Sequence, residues 1–346
     1  MKICWFGIYN PDFSRNQIYI RGLRVNDVTV LECADRSPGL RKYLRLWQKH
    51  RALQGNYDAL VVGYPGHLVV PFAKLLSRKP VVADLLGSLA DAEQHSHMPS
   101  RIRLLKSRIA DWCAVHFADL VLLESEAQKR YFEERFGPSG KYRVLYTGAD
   151  DSVFYCDSSS SGTPRTVLFR GRLTPECGIL HILEAARLLK NEHNIRFRVL
   201  GSGPLLAVAQ AYIQTHALEN VVLVTEYLSG EALRTHICDA SLALGQFEHN
   251  PRLSRTIPHK AFEAFAMGIP YLTGNGEAVC EIVQERETGF LVPLGDPAQL
   301  AEKIRSLMHE DHIRLSVAAK SRQLFAEQFA PAVLARKLVS LLAELT

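Results

Sequence analysis

From end to end, short apolar runs alternate with longer stretches whose apolar side chains recur every third or fourth position. The runs predict strands at 2–7, 28–32, 59–64, 80–84, 120–124 and 142–146, and again at 166–171, 197–201, 221–225, 242–247, 270–274 and 289–293. The longer stretches predict amphipathic helices, clearest over 101–117, 126–136, 300–325 and 333–345. Strand alternating with helix argues for parallel sheets covered on both faces. The pattern stops once, in the serine-rich CDSSSSGTPR at 156–165, which has no periodicity and reads as a linker. The fold class expected is α/β: two doubly wound, Rossmann-like domains whose parallel sheets face each other across a cleft. We place the first domain at 1–158 and the second at 159–328, with a terminal helix in 329–346 able to pack back on the first. Ligands of open α/β sheets bind beyond the carboxyl ends of the strands, so function is expected there.

Composition narrows this little. In 346 residues, 47% are hydrophobic and 22% charged, which suits a soluble protein with a large core. A formal charge of +5 is too mild to argue for nucleic acid as a partner. The seven cysteines are scattered and contain no C-x-x-C pair, so they read as reduced thiols of a cytoplasmic protein. MKICWFGIYNPD reads as a first buried strand, too short in its apolar part for a signal peptide. No apolar run approaches the roughly 18 residues that span a bilayer.

Candidate chemistry concentrates in RTIPHKAFEAFAMGIPYLTG, residues 255–274. Pro258 suits the first turn of a helix that Gly268 ends. Arg255, His259 and Lys260 then stand at the helix N-terminus, where unpaired N–H groups favour an anion. The dipole contributes only ~0.3–1 kcal/mol, whereas binding at even ~1 mM needs about 4 kcal/mol. Added cations are required, and Arg255 and Lys260 supply them. Glu263, three residues after Lys260, shares its side of the helix. A carboxylate there would repel phosphate but can accept hydrogen bonds from a vicinal diol. Phosphate beside a diol describes a nucleotide. The competing reading is a Lys260–Glu263 pair on a solvated helix face.

IPHKAFEAFAMGIPYLTG, with EAVCEIV, GFLVPLGDPAQLAEKI, FRGRLTPECGILHILEAARLL, VLGSGPLL and NVVLVTEYLSGEALRTHICDASLAL, resembles the C-terminal half of glycosyltransferase family 4. GIYNPDFSRNQIYIRGLR and the segment DALVVGYPGHLVVPFAKLLSRKPVVADLLGSLADA extend the resemblance over nearly the whole chain. It implies the GT-B fold, a nucleotide-diphosphate sugar as donor held by the second domain, and a glycan or lipid-linked acceptor held by the first. It also implies transfer with retention of configuration and neither metal nor cofactor. Residue by residue, Glu263 matches the glutamate that binds the donor ribose, and Arg172 the arginine that contacts the diphosphate. Gly201 and Gly203 lie in a loop after a strand, and Glu226 and Tyr227 where backbone meets the base. Two positions depart from the pattern. Cys177 stands where a lysine commonly precedes the glycine, and Arg255 where a glutamate is usual. They fit a coupled relocation of positive charge onto Arg255 and Lys260, and equally a decayed site.

Other signals are weaker. GSGPLL lacks a third glycine and by itself reads as a tight turn. SEAQ at 125–128 and GDPAQL at 295–300 read as helix starts capped by Ser125 and Asp296. HSH at 95–97 has Asp91 and Glu93 nearby but no further ligand at metal spacing, and reads as a surface loop. Asp84, at a strand end, and Asp91, in the following loop, are candidates to meet the transferred sugar or the acceptor hydroxyl, with helix capping as the alternative. Arg15 and Asn16, in the loop after the first strand, are expected to face the cleft, where Arg15 could reach the diphosphate. The basic amphipathic stretches at 41–54 and 100–112 fit either a solvated surface or an anionic membrane. The expectation is therefore a cytoplasmic glycosyltransferase making a surface polysaccharide or glycoconjugate, with the inner face of the membrane as an alternative station. A pseudo-glycosyltransferase scaffold and a nucleotide-sugar epimerase of the same fold are the rivals.

Overall fold

A computed structural model describes residues 1–96, 98–156, 165–226, 228 and 230–346. They form two compact units, 1–150 with 328–346, and 151–327. The boundary expected at 158/159 falls outside the described residues.

The first unit contains β1 (Lys2–Gly7), β2 (Thr29–Ala34), β3 (Ala59–Val62), β4 (Val81–Leu86), β5 (Leu120–Leu123) and β6 (Tyr142–Val144). Between them run α1 (Ser14–Val25), α2 (Arg41–Leu53), α3 (Val70–Leu76), α4 (Leu89–Gln94), α5 (Arg101–Phe117) and α6 (Glu126–Phe136). All strand pairs are parallel, in the order β2-β1-β3-β4-β5-β6. Strands buried on both faces read as unbroken apolar runs, and ALVV of β3 and LVLL of β5 are buried at every position. Alternation along β1 separates two cores. Cys4 and Phe6 face Leu46, Ala73, Ala114 and Phe132 from α2, α3, α5 and α6. Ile3 and Trp5 face α1 on the other side.

The second unit contains β7 (Arg165–Arg170), β8 (Ile195–Leu200), β9 (Val221–Val224), β10 (Leu242–Leu244), β11 (Tyr271–Gly274) and β12 (Phe290–Val292). Its helices are α7 (Ile179–Leu188), α8 (Leu206–Thr215), α9 (Gly230–Cys238), α10 (Pro251–Ser254), α11 (His259–Met267), α12 (Pro297–His309) and α13 (Asp311–Leu324). The parallel order β12-β11-β10-β7-β8-β9 makes β7, the unit's first strand, the point from which the chain winds both ways. Ligand crevices of doubly wound sheets open at such a switch point. The chain then returns to the first unit as α14 (Pro331–Ala343), which lays Leu334, Ala335, Leu338 and Leu342 on α1. Gly22 makes that contact possible, since a Cβ there would lie 2.1 Å from the Pro331 carbonyl oxygen.

In HNPRLSR, residues 249–255, Asn250 accepts hydrogen bonds from Arg252 N and Leu253 N, Pro251 fills the first helical position, and α10 results. The cysteines are not all thiols. Cys156 and Cys238, 82 residues apart, are joined in a disulfide, and Cys4, Cys33, Cys113, Cys177 and Cys280 are free. No spacing motif could reveal a pair that only the return of α9 to the start of the second unit brings together.

Candidate functional site

The first unit gathers Arg15, Asn16, Asp84 and Asp91, but in roles other than those expected. Arg15 lies in the first turn of α1, fully buried. Its Nε donates to both Asp84 carboxylate oxygens at 2.9 Å and its Nη2 to Oδ1 at 2.8 Å. Nη1 donates to the Leu145 carbonyl at 2.9 Å and to Thr147 Oγ1 at 3.0 Å. Every edge of this guanidinium is used, so it does not reach out to a diphosphate. Asp84, itself buried, is its counter-ion, not a group presented to an acceptor. Asn16 is also buried: its amide nitrogen donates to Asn10 O and Tyr64 O, and its oxygen accepts from Trp5 Nε1. Asp91 is on α4 instead of a loop, buried, with its carboxylate 3.0 Å from His95 Nδ1. His97 lies outside the described residues, and among those described no group of three or more His, Cys, Asp and Glu could hold a metal ion.

Beside these lies a second buried network. Asp111 accepts from Ser88 Oγ at 2.6 Å and from Leu89 N and Ala90 N at 3.0 Å, fixing the turn into α4. His67 Nε2 bonds the Gly87 carbonyl at 3.0 Å, and burial lowers the His67 pKa. Together they hold the end of β4, where Leu86 takes a left-handed φ of 60°.

In the second unit the expected residues meet at the switch point. Pro258 is the N-cap of α11, one position earlier than expected, and Lys260 is its second residue. The Lys260 ammonium donates to the Gly245 carbonyl just beyond β10 at 3.3 Å and stands 4.0 Å from the centre of the Phe169 ring on β7. Although the residue keeps some exposure, its charged end is enclosed, and burial pulls its pKa down to about 8. One turn on, Glu263 forms an ion pair with Arg170, the last residue of β7. Arg170, Lys260 and Glu263, with Leu168, Leu244 and Ile237 of α9, line a small hollow open to solvent.

The loops after β7 and β8 close the other side. Gly171 N donates to Leu200 O, and Leu173 N to Ser202 O, each at 3.0 Å. Gly201, at φ +146°, has to be glycine, because a Cβ there would lie 1.9 Å from Gly171 O. Gly203 likewise abuts the Leu173 carbonyl. Arg172 projects from this junction, exposed. Arg255 is not on α11; it is the C-cap of α10, three residues before Pro258. Cys177 accepts a hydrogen bond from Thr174 Oγ1 at 3.4 Å. Glu226 is exposed in the bend after β9, and Tyr227 lies outside the described residues.

Sequence reasoning missed Arg170. The signal was a charged residue in the register of Leu168, two positions earlier on a strand buried from Thr166 to Phe169.

The family described as glycosyl transferases group 1 matches residues 157–324. The putative colanic acid biosynthesis glycosyltransferase WcaL of Salmonella typhimurium is 29% identical over 65% of this chain and 56% of its own length. The chain thus spans about half the length of that relative. Among solved structures, Anabaena Alr3699/HepE in complex with UDP and glucose aligns over 100% of both chains with a TM-score of 0.77 at 18% identity. Sucrose-phosphate synthase from Thermosynechococcus elongatus gives a TM-score of 0.78 at 15% identity, over 100% of this chain and 99% of its own. The chain thus has the GT-B fold, and its residues 157–324, which include Arg172, Lys260 and Glu263, are similar to the group 1 glycosyl transferases.

Proposed function

We propose that this protein transfers a sugar from a nucleoside diphosphate donor to a hydroxyl of a glycan or lipid-linked acceptor during surface-polysaccharide synthesis, with retention of configuration. The observation that carries it is the meeting of Lys260, Arg170 and Glu263 at the carboxyl ends of β7 and β10. A relative named for colanic acid synthesis and a structural neighbour holding UDP and glucose support the same reading. Glu263 accepts from the ribose diol. Lys260 and Arg172, with Arg255 nearby, face the diphosphate, whose charge grows as the sugar bond breaks. The departing phosphate oxygen takes the acceptor proton, so the chemistry does not call on Asp84 or Asp91.

The test is a panel of nucleotide sugars scored first by thermal shift and then by turnover. Glu263→Ala should weaken the free nucleoside diphosphate as well as the sugar nucleotide, by about 1.5–3 kcal/mol. Unchanged affinity in a folded variant removes Glu263 from the site. Binding without turnover, with every acceptor tried, makes the protein a pseudo-enzyme instead.

The acceptor side works at an anionic membrane in this reading. α2, α3 and α5 cover one face of the first sheet, and each shows apolar side chains to solvent, Leu40 before α2 at 83%, Leu75 at 82% and Ile102 at 69% exposure among them. Leu44 and Trp47, and Leu105, Ile109 and Trp112, continue the α2 and α5 stripes at helical spacing. Arg41, Lys42, Arg45 and Arg51 flank the first stripe, and Arg101, Lys106 and Arg108 the second. Asp35, Glu93 and Asp119 offset cations of this face, through Lys49, Arg103 and Lys74. Co-sedimentation with vesicles should require anionic lipid and fade with salt. Equal behaviour with neutral vesicles leaves these helices as ordinary surface.

A further inference from the structure

We propose that Val153–Cys156, fixed to α9 by the Cys156–Cys238 disulfide, is a strap whose Phe154 ring positions Arg170, and through it Glu263, for a nucleoside diphosphate. This rests on the donor-site reading above and adds a positioning residue and a covalent tether to it.

The strap is held against α9 at three points. Val153 lies against Gly230, where a Cβ would be 3.8 Å from its Cγ1. The guanidinium carbon of Arg234 sits 4.3 Å over the centre of the Tyr155 ring. The disulfide follows at the next residue, with Cα atoms 5.8 Å apart. Phe154, between these anchors, presents its ring to Arg170 at 5.7 Å. One residue before Cys238, Ile237 lines the hollow that holds Arg170, Lys260 and Glu263. Strap, helix and candidate donor site are therefore one contiguous piece of the second unit.

Glu263 is nearly buried, and a carboxylate in that position needs its cation. Arg170 comes from the end of a strand and is a third exposed, so its long side chain has rotamers that leave Glu263 for solvent. An aromatic face disfavours them, because the guanidinium is attracted to the ring within about 6 Å. Phe154 thus fixes the plane of Arg170, and Arg170 fixes which carboxylate oxygen Glu263 leaves for a diol. The disulfide fixes Phe154. A dithiol reductant would cleave it to two thiols and itself be oxidised to a cyclic disulfide. The strap would then be held by the two stacking contacts and the Val153 packing. In a reducing compartment the tether opens, so donor affinity follows the thiol poise.

Calorimetry on the full chain with UDP, GDP and dTDP, before and after dithiothreitol, tests this. Thiol titration tracks the change from five free cysteines to seven. For whichever nucleotide binds the intact chain, reduction should raise Kd about three- to tenfold, and Cys238→Ser should match it. Phe154→Leu should raise the donor KM by a similar factor with kcat little changed, and Phe154→Tyr should restore it, since only the ring is required. Reduction of the Phe154→Leu variant should add little. Unchanged Kd on reduction, or in a folded Phe154→Leu variant, overturns the strap while leaving the donor site standing. Failure of all three nucleotides to bind the intact chain overturns the donor-site reading, and the strap with it.

Discussion

At Lys260 an ammonium is kept among the ends of buried strands, an arrangement a merely stable protein would avoid. Its pKa of about 8 lies below the 10.5 of a free lysine, and burial is the main cause. Below about pH 8 both folded and unfolded chains carry the proton and the full penalty is felt. Between about 8 and 10.5 only the unfolded chain holds it, so this contribution makes stability rise with pH, and above that the penalty is gone. Lys260→Met should therefore stabilise the protein by on the order of 1–3 kcal/mol at pH 7, with little gain left at pH 10.5, while donor binding collapses. Denaturant melts at the two pH values check it; a destabilised variant at pH 7 would mean the ammonium is well solvated. Asp84 is the opposite case, a carboxylate spent on structure. Asp84→Asn leaves the Arg15 charge buried and uncompensated, and should cost about 3–5 kcal/mol. A variant of unchanged stability that has lost only turnover would return Asp84 to catalysis. What the sequence hid at this scale has one cause. Arg170 meets Glu263 across 93 residues, and Cys156 meets Cys238 across 82. No local spacing encodes such encounters.

At the scale of elements, legibility follows burial. All twelve predicted strands fall on strands of the described structure, because a parallel strand covered on both faces must be apolar throughout. Capped helix starts were equally readable: Ser125 accepts from Gln128 N, and Asp296 from Gln299 N. Short helices such as α4 and α10 escaped, being too brief for a period to show. So did the place of Arg15 and Asn16, since SRNQ looks like a polar loop until tertiary contacts bury it. The α1–α14 contact supplies a prediction at this level. Gly22→Val would drive a side chain into the Pro331 carbonyl, which is backbone and cannot rotate away. The cost should be about 1–3 kcal/mol or more, seen as a lowered denaturation midpoint. A neutral substitution would mean that α14 sits farther from α1 than described.

Over the whole molecule, chain order and architecture disagree, and the disagreement can be tested. The second unit is continuous, 151–327, whereas the first is assembled from both ends of the chain. Each has its own core: the second around Val167, Phe169 and Ile182, the first on the two faces of its sheet. Deleting residues 331–346 removes Leu334, Leu338 and Leu342, all fully buried against the first unit. At ~1.5–3 kcal/mol per leucine the loss is about 5–9 kcal/mol, comparable with the entire stability of a domain. The truncated chain should therefore lose the unfolding transition of residues 1–150. It should keep that of 151–327, the unit containing Lys260, Glu263 and the disulfide, and a donor nucleotide should still raise the surviving melting temperature. Scanning calorimetry with and without nucleotide decides the matter. If truncation at the far C-terminus abolishes the nucleotide response, the donor site does not reside in the second unit alone.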